Sequence, residues 1–176
     1  QVAHVGAAVL LGHGDAQHAQ VAHLAPQVHG ELVAAVDLRG SGGDLGLGEF
    51  AHRITAPKSH VIKTYVVKVN GPLTEDQEKA FREGVHLEGR KTAPAELKLI
   101  KTGTAPWYEV KIAEGRQNQI RLMFNSFGVL VEKLRRVRIG FLELGELRPR
   151  EFRPLEPKEV AKFCRILKLK VATGDE

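Results

Sequence analysis

The sequence E-G-R-Q-N-Q-I-R-L-M-F-N-S-F-G-V-L-V-E-K-L-R-R-V-R-I-G runs from Glu114 to Gly140 and changes its period midway. Ile120, Met123, Phe124 and Phe127 recur at three- and four-residue spacing, which predicts one apolar face of a short helix. Gly128 follows where a helix end calls for a left-handed residue. Beyond it Leu134, Val137 and Ile139 sit among arginines in a strand-like pattern, and Arg136 and Arg138, two apart, are expected on one strand face. From Arg116 to Arg138 six basic side chains (Arg116, Arg121, Lys133, Arg135, Arg136, Arg138) stand against one acid, Glu132. A helix and a strand both carrying arginine would form a polyanion-binding surface. Charge alone equally allows a solvated basic face on an ordinary α+β domain.

Working outward, the 176 residues fit one domain with an appendage, and 43% apolar residues suffice for a core. The net charge of +5 leans toward a nucleic-acid partner. The single cysteine, Cys164, excludes an internal disulfide and a multi-cysteine zinc site. No run of eighteen apolar residues is present and the first Lys or Arg is Arg39, so neither a membrane span nor a secretory signal is expected. A cytoplasmic monomer with no membrane association is the expectation.

Composition changes abruptly near Gly48. Residues 1–47 contain no lysine, no aromatic residue and five of the eight histidines (His4, His13, His18, His23, His29). One arginine against four acids gives them a net −3, which leaves +8 for residues 48–176. The histidine intervals are irregular and no Cys accompanies them, so no metal site is assigned. No helical or strand period persists in this segment. It reads as a weakly specified lead-in, or as the product of a GC-rich gene translated in the wrong frame or strand. The division expected is 1–47 against a folded 48–172.

After Gly48 the spacing predicts a short helix over Phe50 to Ile54, ended by Pro57, and a strand from Val61 to Val69 closed by Asn70-Gly71-Pro72. Thr74 and Gln77 have capping-box spacing for a helix to about Glu83. Ala95 to Lys101 and Tyr108 to Ala113 read as strands about a Gly103–Pro106 turn, and Phe141 to Leu144 as a strand continuing or pairing with the one before. Pro157 opens a final helix with Val160, Phe163, Cys164 and Leu167 on one face. Helices and strands mixed with short loops indicate α+β.

Glu114 to Phe124 closely resembles the E-G-R-x-x-Q-[IV]-R-R-M-F motif of the bacterial ribosomal pseudouridine synthases, the branch that modifies 16S and 23S rRNA. Leu134–Gly140, Leu144–Leu147 and Glu151–Leu155 look like that family's C-terminal run, Lys63-Thr64-Tyr65 like its K-x-Y strand, and Gly48–Arg53 like the segment after its catalytic loop. The likeness spans roughly Gly48 to Phe163, and the L-R-R-V-R-I-G form is closer to the large-subunit (23S) members. It implies a mixed, mainly antiparallel sheet with flanking helices. It also implies isomerisation of a uridine in ribosomal RNA, free or in an assembling subunit, without cofactor or metal. A carboxylate nucleophile acts there on a nucleotide extruded into a pocket. Residue by residue, the resemblance sets Tyr65 against the base and pairs Arg121 with the catalytic aspartate. Lys63, Arg116, Gln119, Arg135, Arg136 and Arg138 become candidates for RNA contact. A core strand aromatic at Tyr65 and a surface helix arginine at Arg121 are the competing structural readings.

The family's G-R-L-D-x-x-T-x-G-L-L loop is only partly matched. Val36-Asp37-Leu38-Arg39-Gly40-Ser41-Gly42 keeps a D-x-x-x-S-G remnant, which makes Asp37 the candidate nucleophile and Asp44 a distant second. The small RNA-binding domain that usually precedes the catalytic domain is not recognisable, so affinity is expected to rest on the basic later part. The alternatives are a non-catalytic rRNA-binding module or an inactive fragment of the same fold. A basic protein-interaction domain explains the charge but not the ordered motifs.

Overall fold

In the computed structural model of the chain the described residues are 6–11 and 32–37 (backbone only), 53, 54, 56, 59–146 and 155–169, with Pro157 as backbone only. The chain divides into two units, residues 56–145 and residues 1–55 with 146–176. In the latter, β1 (Gly6–Leu11) pairs antiparallel with β2 (Leu32–Asp37), Gly6 opposite Asp37. The sequence predicts no element here. Both strands are continuous small or apolar runs, and a run without alternation carries no strand period.

The unit 56–145 is organised by β3 (Lys63–Val69), whose β-branched and aromatic residues suit the centre of a sheet. The expected start at Val61 moves to Lys63, just past His60 with its left-handed φ of 52°. After β3 the Thr74–Gln77 capping box forms as expected: the Gln77 N–H donates to Thr74 Oγ1 at 3.2 Å and the Thr74 N–H to Gln77 Oε1 at 2.9 Å. It opens α1 (Glu75–Glu83).

A two-stranded ribbon, β4 (His86–Leu87) with β5 (Arg90–Lys91), follows around Glu88 and Gly89, at φ 49° and 78°. Two consecutive left-handed residues suit a tight hairpin turn. β6 (Ala95–Lys101), β7 (Trp107–Ile112), α2 (Gln119–Asn125), β8 (Val131–Ile139) and β9 (Leu142–Glu143) complete the unit. The sheet order is β6-β7-β3-β8-β9, every neighbouring pair antiparallel.

One sheet face and two helices share a core. Val67, Val69, Leu97, Tyr108 and Val110 face Phe81 of α1 and the predicted apolar stripe of α2, Ile120, Met123 and Phe124. The Phe81 and Phe124 ring centroids are 4.9 Å apart and those of Tyr108 and Phe124 5.8 Å, both tilted, in the range of favourable aromatic pairs. The Tyr108 hydroxyl accepts the Leu73 N–H at 3.1 Å, so the buried phenol is satisfied. Gly128 is left-handed at φ 74° and its N–H donates to the Asn125 carbonyl at 2.9 Å, turning the chain from α2 toward β8. Separately, in the unit 1–55 with 146–176, α3 (Pro157–Ile166) buries Val160, Phe163 and Cys164.

Candidate functional site

Strand alternation puts Lys63, Tyr65 and Val67 on one face of β3. Across from Tyr65 on β8 is Arg136. The Arg136 guanidinium carbon lies 5.5 Å from the Tyr65 ring centroid, within the range of a cation–π interaction. Lys63 is opposite Ile139 on one side and Ile112 on the other, two apolar neighbours that offer its ammonium nothing. Its exposure is 2%, and its Nζ has no hydrogen-bond partner among the described residues. Burial, and secondarily the charge of Arg136, lower its pKa to about 8. Two cations and a tyrosine therefore share one face, with no acceptor for the Lys63 ammonium among the described residues.

The arginines of β8 do not form the single row expected. Thr64 pairs with Arg138 and Tyr65 with Arg136, so β8 carries one extra residue, Val137, at this step. Because Thr64 and Tyr65 point to opposite faces, the bulge sends Arg136 and Arg138 to opposite sides of the sheet. Arg136 is buried, whereas Arg138 is exposed and pairs with Glu143 at 2.5 Å. Arg135 is also exposed. Spacing by two could not reveal a bulge, which is the physical reason for the difference.

The E-G-R-Q-N-Q motif forms a brace ahead of α2. Gln119 is buried, its Oε1 accepting the Arg116 N–H at 3.0 Å and its Nε2 donating to Glu114 Oε1 at 2.8 Å. The same Glu114 oxygen accepts the Ala93 N–H at 2.9 Å. Arg116 Nη2 donates to the Lys91 carbonyl at 2.9 Å and lies 3.4 Å from Glu114 Oε2. Glu114 was not among the sequence candidates. Its place at the head of the matched motif was the only signal available.

Arg121 is exposed, and its Nη1 donates to the Val131 carbonyl at 3.1 Å. Among the described residues Arg121 has no carboxylate ion-pair partner. Val131 is opposite Val69, four residues along β3 from Tyr65, or about 13 Å at the rise of a strand. Asp37 ends β2, with its side chain outside the described residues, and Asp44 lies outside them altogether. Among the described residues no group of His, Cys, Asp or Glu is placed to hold a metal, and no helix is long and apolar enough to cross a membrane.

An antiparallel sheet packed against two helices defines an α+β domain, with two buried cations and a half-buried tyrosine on its central strands. Residues 47–126 match the family described as RNA pseudouridylate synthase. Over 117 residues the chain is 41% identical to ribosomal small subunit pseudouridine synthase A of Salmonella typhimurium, covering 65% of this chain and 49% of that protein. It is 39% identical over 119 residues to ribosomal large subunit pseudouridine synthase B of Bacillus subtilis, covering 66% and 49%. A crystal structure of a pseudouridylate synthase matches with a TM-score of 0.60 at 38% identity, over 66% of this chain and 50% of that one. The likeness to RNA pseudouridylate synthases, in sequence and in fold, extends over about two thirds of the chain. It spans about half the length of the curated relatives it matches. Relatives named for both ribosomal subunits stand at nearly equal identity, so these likenesses do not carry the lean toward a large-subunit target.

Proposed function

We propose that this chain isomerises a uridine of ribosomal RNA to pseudouridine, acting as a monomer in the cytoplasm. The observation that carries the reading is the Tyr65–Arg136 contact, with Lys63 on the same sheet face, inside a chain with this likeness. An aromatic ring backed by cations suits an extruded base and the charge its chemistry generates. The reaction detaches the uracil at N1, turns it and rejoins it through C5. Atoms are conserved and nothing is oxidised, so the residues must supply a nucleophile, a base-holding surface and charge stabilisation.

Asp37 is the proposed nucleophile, Tyr65 the residue against the base, and Arg121 the cation that this family pairs with its catalytic aspartate. Arg136 supports the tyrosine. The exposed Arg135 and Arg138, with Arg116, serve the flanking phosphates, where cations add salt-dependent affinity but little sequence information. Gln119 serves indirectly, by fixing the loop that carries Arg116.

Ribosomal RNA tritiated at C5 of uridine tests this, because joining C5 to the ribose expels that hydrogen. Release by the wild-type chain and none by Asp37→Ala is the expected result. RNA binding with no release from either would establish the non-catalytic module instead.

A further inference from the structure

The reaction proposed above passes through a charged state. When the N1–C1′ bond breaks, its electron pair stays on the uracil ring and the carboxylate takes the vacated position on C1′ as an ester. The ring then attacks through C5, the C1′–carboxylate bond breaks, C5 gives up its proton to solvent and N1 gains one. Until C5 joins C1′ the detached ring carries a negative charge, which fixed protein charges stabilise wherever water is excluded.

Lys63 is the most deeply buried cation among the described residues. The exposed basic residues Arg138 and Arg82 have carboxylate partners, as does the half-buried Lys111. Lys63 is buried beside two isoleucines, and its ammonium meets no acceptor among the described residues. A buried charge without a partner destabilises a fold, and a position that keeps one is a candidate for function. Its neighbours on the same face are Tyr65, one alternation along β3, and Arg136, which lies over that ring.

We propose that Lys63 is an electrostatic positioning residue for the isomerisation: its ammonium, without an acceptor among the described residues and on the same sheet face as the Tyr65–Arg136 pair, stabilises the negative charge on the uracil ring while that ring is detached from the ribose. This rests on the pseudouridine synthase reading. Lys63 acts through space and through the tyrosine it flanks, and its charge matters more once the ring is anionic than when neutral RNA base first binds. The consequence is a loss of rate without a loss of affinity.

The experiment measures single-turnover tritium release, RNA affinity and thermal stability for wild type, Lys63→Met and Lys63→Arg. Methionine keeps the volume without the charge. The expected result for Lys63→Met is release slower by on the order of 100-fold, RNA affinity within about twofold of wild type, and a melting temperature no lower than wild type. Lys63→Arg retains part of the rate. A working wild type with an equally fast Lys63→Met variant overturns this inference alone. So does a variant in which rate, affinity and melting temperature fall together, since that marks a structural role. A wild type that releases no tritium overturns the function and this inference with it.

Discussion

Arg136 and Tyr65 face each other across β8 and β3, with the guanidinium carbon 5.5 Å from the centre of the ring. Such a contact contributes about 0.5–2 kcal/mol, and arginine makes it through a planar group that lysine lacks. Arg136→Lys keeps the charge and removes the planar stack. The expected outcome is tritium release about tenfold slower, with a circular-dichroism melt close to wild type. An unchanged rate would detach Arg136 from the reaction.

Lys63 makes stability depend on pH. Its folded pKa is about 8 against an unfolded 10.5, so above pH 8 the unfolded chain binds the extra proton more tightly. Stability should therefore rise with pH between about 8 and 10.5 through this group, while below 8 the full penalty of the buried cation is present. That penalty is on the order of 3 kcal/mol. Urea unfolding of wild type and Lys63→Met at pH 7 and pH 9.5 checks it: the variant's advantage should be larger at pH 7.

Gly84 closes α1 at φ 98°, and a Cβ there would lie 2.4 Å from the Thr92 carbonyl oxygen. Thr92 cannot retreat freely, because its N–H donates to the Val85 carbonyl at 2.8 Å and its Oγ1 accepts the Val85 N–H at 2.9 Å. Gly84→Ala should cost at least about 2 kcal/mol in urea unfolding. Gly89→Ala, also left-handed but in open space, should cost less.

The brace before α2 offers a further check. Gln119→Leu removes the acceptor of the Arg116 N–H and one donor to Glu114. The loss of stability should be about 1–3 kcal/mol. Tritium release should fall as well, because the loop carrying Arg116 and the start of α2 lose their tie. Wild-type stability in this variant would show that the loop holds without the amide.

How much of this was legible beforehand depended on whether the signal was local. The Thr74–Gln77 box, the Ile120/Met123/Phe124 stripe and the β-branched run of β3 are short-range patterns, and each formed as its spacing implied. The β8 bulge was not legible, since a register shift belongs to the partner strand as much as to Arg136 and Arg138. Nor was the burial of Lys63, which depends on Ile112 and Ile139 from two other strands. Lys63 and Arg136 could be named from the sequence as candidates. Their closeness to Tyr65, and the lack of an acceptor for Lys63 among the described residues, came from the fold.

Pseudouridine formation is tested most directly by incubating unmodified ribosomal RNA with the wild-type chain, digesting it to nucleosides and separating them. Pseudouridine should appear as uridine disappears, mole for mole, and Asp37→Ala should leave the composition as it was. An unchanged nucleoside profile with the wild-type chain, under conditions in which it binds the RNA, would contradict the proposed activity.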